Sequence, residues 1–258
     1  MIDFDKLTHE LIQQNVERPN KADAGTLSGH AAGEPFEKLV YHRLKEEYPQ
    51  KIFKQHEYLN DLYRRFPQHI TAEQRLSLFD SPTMMFLLSR GKQATAAWSE
   101  DNPFEEKQND TADILCHDKD FFELIDVKTR NVQKNAQAPN IISAYKLAQA
   151  CALMIDNKDF DRFTMEYVEV DWQEEGNYLK CVNAQHANLF KTNPKELYIN
   201  WSAALQIQFH VCELGQKWVG SKDEWAHLYI KEFVKSAKQR CRKMKEQFIT
   251  PFLPYIQK

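Results

Sequence analysis

The chain has 258 residues, of which 42% are hydrophobic and 28% charged, a composition typical of an ordinary globular protein. Its formal net charge is −3, so the overall charge gives no indication of nucleic-acid binding, and such a role would require a local basic surface. The acidic N-terminus lacks the basic start and apolar middle of a signal peptide, and no apolar stretch approaches membrane-spanning length. We therefore expect a cytoplasmic protein without a membrane partner.

The first predicted elements are two helices. The hydrophobic spacing predicts an amphipathic helix over residues 3–16, followed by a loop of small residues at 21–35. A second helix is predicted over residues 34–49, with Pro35 in its first turn and Pro49 at its end.

The central part of the chain changes from helical to strand-like spacing. Residues 71–92 predict a helix broken at Ser81-Pro82, and a polar connection follows over residues 99–110. Two strands are then predicted over 111–117 and 121–130, joined by a charged turn at Asp118-Lys119. A polar loop at residues 131–138 then leads into a helix at 139–155. Three strands are predicted at 163–171, 177–182 and 203–214, and a last long helix at 222–248.

Two charged residues interrupt the apolar strand FFELIDVKTR at residues 121–130. Burying a charge is costly unless it is paired or binds a metal, so Asp126 and Lys128 require an explanation. Side chains alternate along a strand, which places Asp126 and Lys128 on one face, about 7 Å apart along the strand. An ion pair on an edge strand is one explanation, and a catalytic site is the other.

The preceding strand offers a second carboxylate. A hairpin loop of two or four residues puts Asp113 opposite Leu124, diagonal to Asp126 and on the same face. A three-residue loop would turn Asp113 to the other face. Two converging carboxylates and one ammonium suit a site for Mg²⁺, to which the Val127 carbonyl would add another oxygen.

The arrangement of Asp113 and Asp126-Val127-Lys128 resembles the PD-(D/E)xK motif of a nuclease superfamily, with Ala112 where the motif's name has proline. The order of elements resembles the core of that superfamily, a mixed β-sheet flanked by helices. The resemblance implies an α/β (α+β) fold that forms one restriction-endonuclease-like domain over residues 1–258, with its catalytic core at about 34–171.

The segment from residue 112 to 155, and the chain as a whole, is also similar to the HincII group of type II restriction endonucleases. That resemblance implies a homodimer that cuts double-stranded DNA at GTYRAC with Mg²⁺, leaving blunt ends with 5′-phosphates. It carries over Asp113 and Asp126 as metal ligands and Lys128 as the catalytic lysine.

Polar segments elsewhere in the chain are candidates for DNA contact. The loop that follows the strand at 121–130 carries asparagine and glutamine, whose amides can read adenine edges. A further strand-like stretch over 196–204 places two polar residues on one face. A solvated loop and ordinary packing are the alternatives. Glu37, at the edge of the second helix, is either a solvated residue or a group reaching the metal through water. The candidates for DNA contact are Thr129, Gln137, Ala138, Asn140, Tyr198 and Asn200.

The last helix is the most basic part of the chain. Its lysines and arginines between residues 231 and 245 form either a solvated face or a surface that flanks DNA. The chain contains no glycine loop for phosphate and no dinucleotide fingerprint, so we expect no nucleotide cofactor. Its five scattered cysteines predict reduced thiols. Other functions compatible with the sequence are a repair or junction-resolving nuclease, an inactive DNA-binding module, and a structural protein with a buried ion pair.

Overall fold

The computed structural model of the chain describes residues 1–19, 29–88, 111–135, 137–203, 205–215 and 217–256, so the polar connection predicted over 99–110 lies outside the described residues. No helix within these ranges is long and apolar enough to span a membrane. The helices are α1 Phe4–Leu11, α2 Gly29–Glu47, α3 Gln55–Leu62, α4 Ala72–Phe79, α5 Pro82–Leu88, α6 Ala144–Asn157 and α7 Lys222–Met244. The strands are β1 Asn15–Glu17, β2 Ile52–Lys54, β3 Ile114–Asp118, β4 Phe121–Asn131, β5 Asn140–Ser143, β6 Phe163–Glu175, β7 Tyr178–Asn188, β8 Tyr198–Asn200 and β9 Gln206–Gln208.

A six-stranded sheet in the order β1-β7-β6-β4-β3-β2 forms the centre of the described structure. β4 and β6 run parallel, and the other neighbouring pairs of this sheet are antiparallel. The connection between the parallel strands contains α6, as a parallel pair requires a long crossover. A second sheet has the order β5-β9-β8. The predicted mixed sheet is therefore confirmed.

Each face of the large sheet packs on its own layer of helices. Leu124 of β4 belongs to a core formed with α3 to α7, and its neighbour Ile125 belongs to a core formed with α1 and α2. Successive residues of a strand point to opposite faces, so a strand with two buried faces is apolar over most of its length. This explains why β4 and β6 are long runs of buried residues in which a charged side chain is conspicuous.

The first two predicted helices differ from the structure at their ends. The first ends at Leu11 rather than residue 16, because Gln13 adopts a left-handed backbone with φ 71° and residues 15–17 join the sheet as β1. The second begins at Gly29, which leaves Pro35 inside the helix instead of in its first turn. The rule that proline marks a helix start therefore placed this start too late. Part of the loop predicted before it, residues 21–28, lies outside the described residues.

Two predicted elements differ from the structure where the small sheet forms. The helix predicted from residue 139 begins at Ala144, since residues 140–143 form β5 and Ser143 caps the helix by accepting a hydrogen bond from the Lys146 backbone. The strand predicted over 203–214 is only the three-residue β9, and the chain turns into a 3₁₀ helix at Val211–Glu213. The break predicted at Ser81-Pro82 is confirmed, because α4 ends at Phe79 and α5 begins at Pro82.

Candidate active site

The hairpin of β3 and β4 sets the position of the acidic residues. Its loop is Lys119 and Asp120, with Asp118 opposite Phe121 and His117 opposite Phe122. The turn predicted at Asp118-Lys119 was therefore wrong by one residue, and the register by two.

The observed register is the one that lets the buried rings of His117 and Phe122 stack with centroids 3.8 Å apart. A shift of two residues leaves the side-chain faces unchanged. Continued by one residue beyond Ile114 and Ile125, this register puts Asp113 opposite Asp126 rather than diagonal to it.

The three motif side chains meet at the end of this hairpin. Lys128 Nζ lies 2.9 Å from Asp126 Oδ1 and 2.8 Å from its Oδ2, so the ammonium contacts both oxygens. Asp113 Oδ2 accepts a hydrogen bond from the Val127 backbone N–H at 2.8 Å, and Asp113 lies near enough to Asp126 to raise its pKa. The convergence predicted from strand alternation is therefore present in the structure.

Burial makes this cluster electrostatically unusual. Desolvation is the largest influence on the pKa of Asp126 and raises it well above the ordinary value, with Asp113 raising it further and Lys128 opposing the rise. Burial works to lower the pKa of Lys128, but the charges of Asp126 and Asp113, with a smaller contribution from Glu37, raise it above its usual value. The site is thus a pair of repelling carboxylates with one ammonium that remains protonated.

The donor set is small. Among the residues that the structure describes, no group of three or more His, Cys, Asp or Glu side chains is placed to hold a metal ion. Asp113 and Asp126 therefore form a two-carboxylate site. A cation bound there would complete its coordination with backbone carbonyl, water or substrate oxygens, which is the way proteins usually hold Mg²⁺.

Two other predicted residues lie at the periphery. Glu37 of α2 makes an ion pair with Lys54, and its charge reaches Lys128. Thr129 follows Lys128 on β4 and therefore points to the opposite face of the sheet. There its hydroxyl lies close to Gly33 of α2: a methyl group in place of the Gly33 hydrogen would be 3.5 Å from the Thr129 oxygen. Within the described part of the chain, no hydrogen bond or ion pair joins Glu37 or Thr129 to Asp113, Asp126 or Lys128.

The small sheet brings three predicted DNA-contact residues together around one that the sequence reasoning missed. Gln208 of β9 pairs with Asn140 and Tyr198 on its two sides. Its amide donates to Asn140 Oδ1 at 2.8 Å and accepts from Asn200 Nδ2 at 2.8 Å. The alternation of glutamines in QIQ is the sequence signal that would have found it. Tyr198, Asn140 and the loop residue Gln137 are exposed, and Ala138 is half-buried.

Beyond Lys128, β4 and β6 carry an ion pair and a further hydrogen-bonded pair. Arg130 donates twice to Asp171 of β6, through Nε and Nη2 at 2.7 Å each. Glu169, the β6 partner of Lys128, is buried and pairs with His210, while also accepting from the Val211 backbone N–H. The Arg130–Asp171 pair joins β4 to β6, and the contacts of Glu169 hold the segment after β9 against the sheet. Nothing in the hydrophobic pattern indicated either of them.

The basic residues of the last helix are mostly solvated. Lys235 pairs with Glu232 and Arg242 with Glu246, both as exposed pairs along the helix. The remaining cations lie on the exposed or half-buried face, namely Lys231, Lys238, Arg240, Lys243 and Lys245.

Comparison with known proteins identifies the family. The family model described as restriction endonuclease HincII matches residues 7–256. The chain belongs to the HincII restriction endonuclease family. It is 61% identical over 246 residues to the type II restriction enzyme HindII of Haemophilus influenzae strain Rd, covering 95% of this chain and 94% of that one. Type II restriction enzyme HincII of Haemophilus influenzae is 60% identical over the same shares of both chains.

Among solved structures, the NlaIV restriction endonuclease is similar with a TM-score of 0.38 and 10% identity, covering 93% of this chain and 88% of that chain. Membership of the HincII family confirms the resemblance seen in the motif, the restriction-endonuclease-like fold and the assignment to type II restriction enzymes.

Proposed function

We propose that the protein cuts double-stranded DNA at GTYRAC by Mg²⁺-dependent hydrolysis of one phosphodiester in each strand, leaving blunt ends with 5′-phosphates. The observation that carries the metal-dependent hydrolysis is the convergence of Asp113, Asp126 and Lys128 at the end of one hairpin, and the GTYRAC site and blunt ends rest on the relation to the HincII family. We place the reaction in the cytoplasm and in one restriction-endonuclease-like domain over residues 1–258, with its catalytic core at about 34–171. No nucleotide cofactor takes part in it.

The side chains of the site fit a magnesium ion. The buried carboxylate of Asp126 and the half-buried carboxylate of Asp113 gain from a cation, whose charge offsets both the desolvation and the repulsion that raise the Asp126 pKa. The N–H and C=O of a strand residue point to the same neighbouring strand, so the Val127 carbonyl faces the side on which its N–H meets Asp113. We assign Asp113, Asp126 and the Val127 carbonyl as ligands. When bound, Mg²⁺ makes an attached water more acidic and neutralises charge on the phosphate.

The protein groups then have distinct tasks. Lys128 keeps its proton beside Asp126 and presents a positive charge where the attacking water and the phosphate would meet. Asp113 holds the Val127 backbone through Oδ2, and we assign its Oδ1 to the metal. Glu37 contributes negative charge from the periphery and orients water around the site.

Sequence recognition belongs to the small sheet and the loop before it. Asn140, Gln208 and Asn200 form a connected row of amides, and an amide is the group that reads adenine with two hydrogen bonds. The exposed ring of Tyr198 stands beside this row. We assign contacts to bases or sugars to this surface, wedging of the base stack to Gln137 and Ala138, and a phosphate contact to Thr129.

The test is digestion of a plasmid of known sequence in the presence of Mg²⁺, followed by mapping of the ends. We expect discrete double-strand cuts at each GTYRAC site and none without a divalent metal. Cuts confined to branched DNA would instead identify a junction-resolving or repair nuclease. DNA binding without cleavage would identify an inactive binding module.

A palindromic site calls for a two-fold symmetric protein, and the C-terminal apolar segment, residues 244–256, supports a homodimer. Every residue from 241 to 256 is exposed. The aromatic side chains Phe248, Phe252 and Tyr255 are 58%, 58% and 78% exposed. At about 150–250 Å² for a full aromatic side chain, they alone present roughly 400 Å². The exposed aliphatic side chains add to this area, namely Met244, Ile249, Leu253 and Ile256.

The exposed apolar area of the C-terminal segment indicates what kind of partner covers it. Monomeric proteins rarely expose apolar patches of more than a few hundred Å², and a standard interface takes about 800 Å² from each partner. The C-terminal apolar segment approaches this value by itself. In a two-fold symmetric dimer the same surface of each copy contacts the same surface of the other. A second copy of the chain therefore meets this requirement. We therefore place the dimer contact on this segment.

The triple variant Phe248→Ser, Phe252→Ser and Tyr255→Ser is expected to be a folded monomer under conditions in which the wild-type protein is a dimer. Sedimentation equilibrium measures this, and circular dichroism checks the fold. Phe66→Ser is the matched control, since Phe66 is an exposed aromatic residue outside the segment. A triple variant that stays dimeric would show that the contact lies elsewhere. A monomeric wild-type protein would contradict the dimer itself.

A further inference from the structure

A fully buried glutamine lies beside the segment just before β3 that carries Asp113. Gln55 is the first residue of α3, and its side chain is inaccessible to solvent. Its Oε1 accepts hydrogen bonds from the Thr111 and Ala112 backbone N–H groups at 3.0 and 3.1 Å, and its Nε2 donates to the Leu88 carbonyl at 3.1 Å. A buried amide is tolerated only when its polar atoms are paired, and this one has a partner for both ends.

The two N–H groups that Gln55 binds come directly before Asp113. The paired ladder of β3 and β4 begins one residue later, at Ile114 opposite Ile125. Asp113 therefore lies between a part of the chain held by the sheet and a part held by Gln55. The Leu88 carbonyl at the end of α5 is tied to the same amide, so this helix end and the residues before Asp113 keep a fixed separation.

We infer that Gln55 is a positioning residue for the metal site, acting through the backbone of residues 111 and 112 to set the carboxylate of Asp113. This inference rests on the proposed role of Asp113 as a metal ligand. The amide suits the task because one atom accepts two N–H groups while the other donates to a carbonyl. An apolar replacement would leave those N–H groups unpaired in the interior, which destabilises their position.

A second buried glutamine provides a matched control. Gln74 of α4 lies near the start of its helix, as Gln55 does, and its Nε2 donates to the His117 carbonyl at 3.1 Å. It therefore binds β3 at the end far from Asp113, whereas Gln55 binds the two residues that precede Asp113. His117 is four residues from Asp113, or about 13 Å along a strand. Loss of Gln55 removes buried hydrogen bonds to residues just before β3, and loss of Gln74 removes one to the far end of β3, but only Gln55 adjoins the carboxylate.

The experiment compares Gln55→Met and Gln74→Met, since methionine has a similar length and lacks the amide. Metal binding is measured without DNA by titration with Mn²⁺ in a calorimeter, and stability by urea unfolding. Both variants are expected to lose stability. Only Gln55→Met is expected to bind Mn²⁺ more weakly, by about tenfold or more, as for other groups that orient a metal ligand. Its single-turnover cleavage should recover as Mg²⁺ is raised.

Several outcomes would contradict the role of Gln55. Unchanged Mn²⁺ affinity in Gln55→Met would overturn the inference, and so would an equal loss in Gln74→Met, because general instability would then explain it. If Gln55→Met does not fold, Gln55→Glu keeps the acceptor oxygen, and a Mn²⁺ affinity lowered tenfold or more in that variant would also contradict the inference. Asp113→Asn is the reference. If it binds Mn²⁺ as the wild type does, the proposed metal site fails rather than the role of Gln55.

Discussion

Replacing Asp126 with alanine is expected to abolish DNA cleavage while leaving the protein folded. Asp126 is buried between Asp113 and Lys128, and we assign it as a metal ligand. The metal contributes several kcal/mol of charge stabilisation to the transition state, and each ~1.4 kcal/mol is tenfold in rate. We therefore expect single-turnover cleavage to fall by at least about a thousandfold, measured on a duplex with one GTYRAC site.

The fold should tolerate this change. Desolvation raises the pKa of Asp126, so the ionised carboxylate costs free energy in the folded state at neutral pH. The Lys128 side chain is 22% exposed and can turn towards solvent when its partner is removed. We expect the free energy of unfolding to change by less than about 2 kcal/mol in either direction, which most domains survive.

A structural carboxylate provides the control for Asp126→Ala. Asp159 is also buried, and it accepts hydrogen bonds from the Ser81 hydroxyl and the Thr83 backbone N–H at the start of α5. Asp159→Ala is expected to lower stability while the folded fraction still cleaves at the normal rate. Full activity in a folded Asp126→Ala protein would end the assignment of Asp126 as a metal ligand.

The clustering of the candidate site residues Asp113, Asp126 and Lys128 could be predicted from the sequence because its geometry is local. Asp126 and Lys128 are two residues apart on one strand, and alternation alone places them on one face. Asp113 follows from a hairpin whose loop length has even parity, so an error of two residues in register left its face unchanged. What the sequence could not supply was the stacking of His117 on Phe122, which selects the register.

The elements and contacts that the sequence missed depend on partners far along the chain. β1 and β5 contain three and four residues, too few for a hydrophobic period, and they exist because β7 and β9 pair with them. Gln55 looks like an ordinary polar residue until Thr111 is found beside it, 56 residues later. Gln208 gains its place in the amide row from Asn140, which is 68 residues away. Short-range patterns contain no information about such pairs.

Replacing Lys128 with alanine is expected to slow the chemical step far more than it weakens DNA binding. The ammonium lies within 2.9 Å of a carboxylate that we assign to the metal, so it is beside the reacting groups and not out along the duplex. A fixed positive charge helps most where negative charge develops, which is in the transition state. A positioned group of this kind contributes about 10²–10⁴ in rate, so single-turnover cleavage should fall within that range.

Affinity for a GTYRAC duplex should change by less than about tenfold, because many other contacts to phosphates remain. Binding is measured with Ca²⁺ in place of Mg²⁺, and cleavage on the same duplex at saturating protein. The control is Lys51→Ala, which removes an ion pair with Asp118 at the opposite end of the hairpin and should alter neither quantity. If Lys128→Ala binds the duplex far more weakly yet cleaves at the normal rate once saturated, Lys128 acts in binding, and a positive charge beside Asp126 is not needed for the chemistry.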